Sequence, residues 1–498
     1  MLMLMTLTTA AAADTAETAA ETVPTRAVWL TTVGGLDWPR TYATDAATRR
    51  RQQRELTEML DTLKRIGINT VLLQTRVRAT VIYPSALEPW DAAMSGTAGT
   101  SPGYDPLAFA VDECHKRGMQ LHAWVVAIPA GKWNSYGCRR LRNRYPSLVK
   151  KIDDTGYLNP EQPQTGDVIA AVCGEIVSNY DVDGIHLDYI RYPETWKIRV
   201  TGDRARACIT SIVRKVNQAV RDAERRRPAA GRLTERVEIS CSPIGKYRDL
   251  ARYSSHGWNA YGKGQDAEAW LRGGLVDRLY PMMYFKGEGF YPFAIDWSER
   301  SHGKEIVCGL GIYFLDRRHG DWDISEIKRQ MYVARSLGMG VCFFRARFLY
   351  DNTQGIYDFL RYEYDYAPLV ANAYDRHETA APDDGRPSDD CLRLTLPPGD
   401  PATSSMPVFA YDRRTRTVDM STVMTSADGT LRSMTTEMDV RYVFFESMQG
   451  RIIAVRPYRR TVDVSDIPDG TYFLRAVNRK RRTHRVGCTV IGEMKNEE

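Results

Sequence analysis

The segment Val182-Asp-Gly-Ile-His-Leu-Asp188-Tyr-Ile-Arg-Tyr-Pro193 carries the clearest mark of the chain's architecture. Ile185 and Leu187 alternate with His186 and Asp188, which is the two-residue period of a strand. The strand runs directly into a polar, aromatic turn. An aspartate at the end of such a strand stands where a parallel barrel presents its chemistry. On this stretch alone two readings of Asp188 compete: a catalytic carboxylate, or a turn cap that pairs with Arg191. The surrounding segments tip the balance.

Working outward, apolar runs that read as strands recur at residues 26–33, 68–74, 120–127, 237–242, 276–284, 305–312 and 340–346. Between them lie helical patterns at 48–66, 106–116, 165–180, 203–226, 267–272 and 323–336, with a last one at 353–363. Residues 128–163 read as a long polar loop. Strands that are apolar on both faces and alternate with helices imply a parallel sheet. Eight such units predict a closed (β/α)₈ TIM barrel within an α/β class. No G-x-G-x-x-G follows the first strand, and no G-x-x-x-x-G-K-[ST] occurs, which argues against a nucleotide-binding sheet.

The texture changes after Pro368. Residues 369–390, rich in Asp, Pro and Ala, read as a linker. Short β-type runs follow, such as Val440-Arg-Tyr-Val-Phe-Phe445 and Gly470-Thr-Tyr-Phe-Leu-Arg-Ala-Val477. They predict a small all-β, sandwich-like module over 391–498. Residues 1–23 resemble a signal-peptide core ending in small residues, although no Lys or Arg precedes Arg26. The domain plan is therefore a leader (1–23), a barrel (24–368), a linker and a β module. The expected location is outside the cytoplasm, in the periplasm or at the cell surface.

At 498 residues the chain exceeds one ordinary core, in keeping with two folded parts. A net charge of +6 with no basic, aromatic-interleaved stripe gives no case for nucleic acid. No stretch beyond the leader reaches the ~18 apolar residues of a membrane span. Nine cysteines without C-x-x-C spacing argue against both a disulfide framework and a zinc site. His122 and His186 are single and not joined in an H-x-H, so neither a metal nor another cofactor is expected.

Side chains at the carboxyl ends of the eight strands should converge on one cleft. Glycosidic cleavage usually takes two carboxyls, one of them a proton donor at the leaving oxygen. Glu88, among Tyr83, Pro89 and Trp90, and Asp188, beside His186 and Arg191, form the best pair on position. A dry aromatic shell would keep Glu88 protonated as the acid. Positive neighbours would keep Asp188 ionised as nucleophile or base. Expected substrate-binding residues are Asp37, Trp38, Gln74, Arg76, Trp90, His122, Trp124, His186, Arg191 and Tyr284. Trp38, Trp90 and Trp124 would offer faces on which sugar rings stack.

Several longer stretches carry a resemblance. Arg26-Ala-Val-Trp-Leu-Thr-Thr-Val-Gly-Gly-Leu-Asp-Trp-Pro39, Tyr83-Pro-Ser-Ala-Leu-Glu-Pro-Trp90, Tyr104-Asp-Pro-Leu-Ala-Phe-Ala110 and Tyr180-Asp-Val-Asp-Gly-Ile-His-Leu-Asp188 are similar to motifs of the glycosyl-hydrolase-like family 10. The resemblance runs over roughly residues 24–365. It implies an exported glycosidase-like barrel acting on polysaccharides of the bacterial envelope, with peptidoglycan glycan strands among the candidates. The family pattern commonly places a second carboxylate after the fourth strand, where this chain has Tyr189. That departure motivates the alternative of a non-catalytic glycan-binding protein that keeps the cleft.

Overall fold

The computed structural model describes residues 24–227, 236–364, 391–392, 409–420, 423–425, 431–433, 440–447, 452–478 and 483–492. The leader and the linker expected from sequence lie outside the described residues.

Eight parallel strands are present: β1 (Arg26–Leu30), β2 (Thr70–Arg76), β3 (Gln120–Val126), β4 (Gly184–Asp188), β5 (Glu238–Cys241), β6 (Arg278–Leu279), β7 (Val307–Leu310) and β8 (Gly340–Phe344). Their hydrogen-bonded order is β7-β8-β1-β2-β3-β4-β5-β6. The two ends of this sheet meet through single bridges, Leu279 to Ile306 and Met282 to Gly309, which bring the barrel round to closure. β6 is much shorter than the apolar run 276–284 suggests. Pro281 explains this, because it has no N–H to continue the ladder.

Side-chain alternation sorts the strand residues into two cores. Val28, Leu30, Val71, Leu73, Leu121, Ile185 and Leu187 point outward and meet the helices. Ala27, Trp29, Leu72, Trp124, Val126, Tyr280, Val307 and Cys342 fill the barrel itself. On the outside, α1 (Ala46–Arg65) starts in a capping box of Asp45 and Thr48 and buries Leu56, Met59, Leu60 and Leu63. α2 (Pro106–Lys116) starts at Asp105, whose carboxylate accepts from Leu107 N and Ala108 N. α3 (Pro163–Asn179) packs along α4 (Gly202–Arg226). α4 turns Ile209, Ile212, Val213, Val216 and Val220 inward and leaves most of its arginines on the outer face.

Three segments differ from the sequence reading. Residues 128–163 are not a loop: Pro129–Lys132, Thr155–Leu158 and Val149–Ile152 form an antiparallel sheet in that order, with a helix at Tyr136–Arg144. Its strands are four residues long and carry Lys150, Lys151 and an Asp153-Asp154 turn, too short and too charged for periodicity to reveal. A further helix, Tyr291–Glu299, fills the β6–β7 connection. The single helix expected at 353–363 is broken, with Asn352 and Gln354 in the left-handed region.

Beyond the barrel the described residues are all β. One antiparallel sheet runs Ile452–Pro457, Val440–Ser447, Gly470–Asn478, Thr483–Ile491. A second contains Tyr411–Asp412, Thr417–Asp419 and Thr461–Asp463. Tyr411 and Val418 from the second share one apolar cluster with Val443, Phe445 and Leu474 from the first.

Candidate active site

Along β4 the inward positions are Gly184, His186 and Asp188, stacked from the floor of the barrel to its mouth. Parallel register sets His122 beside Gly184, Trp124 beside His186, and Val126 beside Asp188. A Cβ on Gly184 would stand 2.5 Å from His122 Nδ1, so only glycine leaves room for that ring. His122 is fully buried, and neither of its ring nitrogens has a hydrogen-bond partner among the described residues. Burial lowers its pKa to about 4, which keeps it neutral.

One layer up, His186 Nε2 lies 3.3 Å from Trp29 Nε1, and Nδ1 lies 3.0 Å from Ser240 Oγ. An indole N–H only donates, so Nε2 accepts and the imidazole proton sits on Nδ1. Burial, reinforced by His122, holds His186 well below the usual imidazole range. Both histidines are therefore neutral parts of the barrel interior, and neither reaches the cleft.

Asp188 stands at the mouth. Its Oδ1 accepts from Ser242 Oγ at 2.8 Å and from Tyr189 N at 2.7 Å, and its Oδ2 accepts from Trp124 Nε1 at 3.2 Å. All three donors are neutral. Burial pushes the carboxyl above its ordinary range, against the opposing pull of Arg191 and these donors. The direction is opposite to the expectation of a carboxylate held ionised by positive neighbours. Arg191 is near, but it directs its guanidinium to another group: Nη2 donates to Glu194 Oε1 at 2.9 Å. The same guanidinium lies 4.1 Å from the Tyr189 ring centre and 5.3 Å from that of Trp258. Tyr189 adopts φ 50°, a left-handed conformation uncommon for a bulky residue, and its hydroxyl lies 3.4 Å from Glu194 Oε1.

These groups line a cleft of about 670 Å³ at the carboxyl ends of the strands. Asp188 and Glu194 are the two acidic residues in its lining. Trp124, Tyr157, Tyr189, Trp258, Tyr284, Phe285 and Phe344 give it aromatic walls. Thr155 and Tyr157 come from the antiparallel excursion after β3, so that segment builds one side of the cleft.

Of the residues expected to act, Gln74, Trp124, Asp188, Arg191 and Tyr284 line this cleft. Gln74 braces it, because its Oε1 accepts from Thr32 N and Val33 N in the β1 loop. Glu88 is elsewhere. It forms a bidentate pair with Arg76, at 2.8 Å to Nε and 2.7 Å to Nη2, and both side chains are buried. Arg76 Nη1 turns to the carbonyls of Val126 and Ala127. Glu88 faces a separate small cavity with Leu141, Arg144 and Asp167, so the fold does not bring it to Asp188. Asp37 is also an anchor: its Oδ2 accepts from Thr31 N and Oγ1, and its Oδ1 from Arg347 N. Trp38 is sealed in the outer core with its indole N–H on the Gln52 carbonyl. Trp90 is half-buried and does not line the cleft. The residues that sequence reasoning missed are chiefly Glu194 and Trp258. The one signal for Glu194 was its place in the turn after β4, just past Pro193.

Among the described residues no group of three or more His, Cys, Asp or Glu could hold a metal ion, and no helix is long and apolar enough to cross a membrane.

The family model described as Glycosyl hydrolase-like 10 matches residues 24–314, more than half of the chain. The chain belongs to the glycosyl hydrolase-like 10 family. The match spans β1 to β7; β8 lies beyond it, yet pairs with β1 and β7 in the same barrel. Glycosyl hydrolase DigH of Escherichia coli O6:H1 is 29% identical over 377 residues, covering 66% of this chain and 84% of its own. Glycosyl hydrolase YngK of Bacillus subtilis strain 168 is 27% identical over 373 residues, covering 67% of this chain and 70% of its own. The PgaB (BpsB) glycoside hydrolase domain of Bordetella bronchiseptica aligns with TM-score 0.48 at 13% identity, over 68% of this chain and 99% of that one.

Proposed function

We propose that this protein hydrolyses glycosidic bonds in a polysaccharide of the bacterial cell envelope, with peptidoglycan glycan strands as the first candidate. One observation carries the reading. A buried aspartate with a raised pKa, Asp188, shares an aromatic-walled cleft with a second carboxylate, Glu194. A carboxyl that keeps its proton toward neutral pH suits a general acid at the leaving oxygen. Glu194, more exposed and fixed by Arg191, is the partner that serves as nucleophile or base. Sugar faces stack on Trp124, Tyr157 and Trp258. The leader-like start of the chain supports action outside the cytoplasm, and N-terminal sequencing of the mature protein tests that part.

The test of the reaction is release of new reducing ends from purified glycan strands. Wild type should release them, and Asp188→Asn and Glu194→Gln should lose release while Glu88→Gln keeps it per folded molecule. No release by wild type, with strand binding intact, would favour the glycan-binding reading that Tyr189 motivates. The presence of Glu194 in the cleft weighs against that alternative.

A further inference from the structure

Next to the cleft lies a second hollow of about 560 Å³ with a different character. Its lining is arginine-rich: Arg40, Arg318, Arg345 and Arg347 stand against two aspartates, Asp316 and Asp351. Three of these guanidiniums are ion-paired through one edge, Arg345 and Arg347 from largely buried side chains and Arg318 from one that is 80% exposed. Arg345 Nη1 is tied to the buried Asp37 and to the Leu36 carbonyl, Arg347 Nε to Asp351, and Arg318 to Asp316. The rest of each planar fork remains available, already oriented. Arg40 has no ion-pair partner among the described residues, so positive charge is in excess. The hollow borders the cleft: Leu36 lines both, and Phe344 in the cleft precedes Arg345 in the hollow.

We propose that this hollow is an acidic-sugar subsite, which binds the carboxylate of a unit in the same glycan whose neighbouring units occupy the cleft. The inference deepens the glycosidase reading and rests on it for the polymer. Fixed, planar guanidinium forks match a carboxylate bidentately, whereas the cleft's aromatic walls match neutral ring faces. The substrate class is thus an acidic polysaccharide rather than a neutral one.

The probe is peptide-free peptidoglycan strands, whose muramic acid units carry carboxylates, compared with the same strands after reduction of those carboxyls to alcohols. Binding is measured in the Asp188→Asn background, which should leave the polymer intact, by tryptophan fluorescence. The acidic strands should bind about tenfold more tightly than the reduced ones. This gap should narrow at roughly 0.5 M salt. It should vanish in Arg40→Gln/Arg347→Gln, whose melting temperature should match that of the parent. Equal binding of both polymers, a gap that survives the double variant, or binding of neither polymer overturns the subsite. Reducing-end release by the Asp188-containing protein is followed in parallel. Release without the gap removes the subsite and leaves the glycosidase; a gap without release does the reverse.

Discussion

Glu88 and Asp188 are two buried carboxyls in one barrel, and their surroundings separate structure from chemistry. Glu88 has both oxygens engaged by the guanidinium of Arg76, which itself ties β2 to the carbonyls of Val126 and Ala127. Asp188 meets only neutral donors, from Ser242, Trp124 and its own neighbour's backbone. A fully paired carboxylate is a fastening. One that is buried against neutral donors is pushed toward its protonated form, and here it opens onto a cleft. Sequence position, which singled out Glu88 by its aromatic neighbours and Asp188 by its place at a strand end, does not distinguish the two cases; the partner does.

The largest effect is expected at Asp188. Asp188→Asn should lower the rate of reducing-end release by about a thousandfold. Its stability at neutral pH should be no lower than wild type, since burial penalises the native charge there; a chemical denaturation curve checks this. Glu88→Gln should show the reverse pattern. Leaving Arg76 buried without its anion should cost about 3–5 kcal/mol of stability, while the folded fraction keeps its turnover. If Glu88→Gln folds normally and is inactive, Glu88 belongs to the chemistry rather than to the framework.

Smaller effects are expected at Glu194, Glu238 and Ser242. Glu194→Gln should slow release by about a hundredfold and leave stability near wild type, because its pair with Arg191 is half-exposed. At the barrel floor, burial raises the pKa of Glu238 to about 7, with Arg278 opposing. Its folded value exceeds the ordinary 4.5, so the stability it contributes is complete below that value and is lost as pH rises through about 7. Glu238→Gln should therefore remove about 2–3 kcal/mol of the decline in stability between about pH 5 and pH 8. The finest test is Ser242→Ala. Removing a donor from the Asp188 carboxylate should raise that pKa further and move the alkaline limb of the rate profile to higher pH.

Much of the barrel was legible because its strands are apolar on both faces and its helices carry apolar residues at helical spacing, as Leu56, Met59, Leu60 and Leu63 do. The elements that escaped were short and polar, like the 129–158 sheet, or interrupted by a residue such as Pro281 that a hydrophobic run conceals. The site was legible where it lies on a strand. Trp124 and Asp188 followed from two-residue alternation and from the rule that barrel chemistry sits at strand ends. His122 and His186 followed the same alternation but occupy deeper layers, and sequence position does not report depth. Residues outside the barrel strands followed no period that could be read: Trp38 and Trp90 turned away from the cleft, while Glu194, Trp258 and Tyr157 turned into it.

The (β/α)₈ barrel, the family, and Asp188 as the carboxyl at the end of the fourth strand were all readable from the chain alone. Each of these depends on local pattern, and local pattern survives without knowledge of partners. Only the tertiary structure decided which second acid accompanies Asp188, that Arg76 claims Glu88, and that burial rather than charge sets the protonation of Asp188. These depend on which side chains from distant segments meet, and on how much water is left between them.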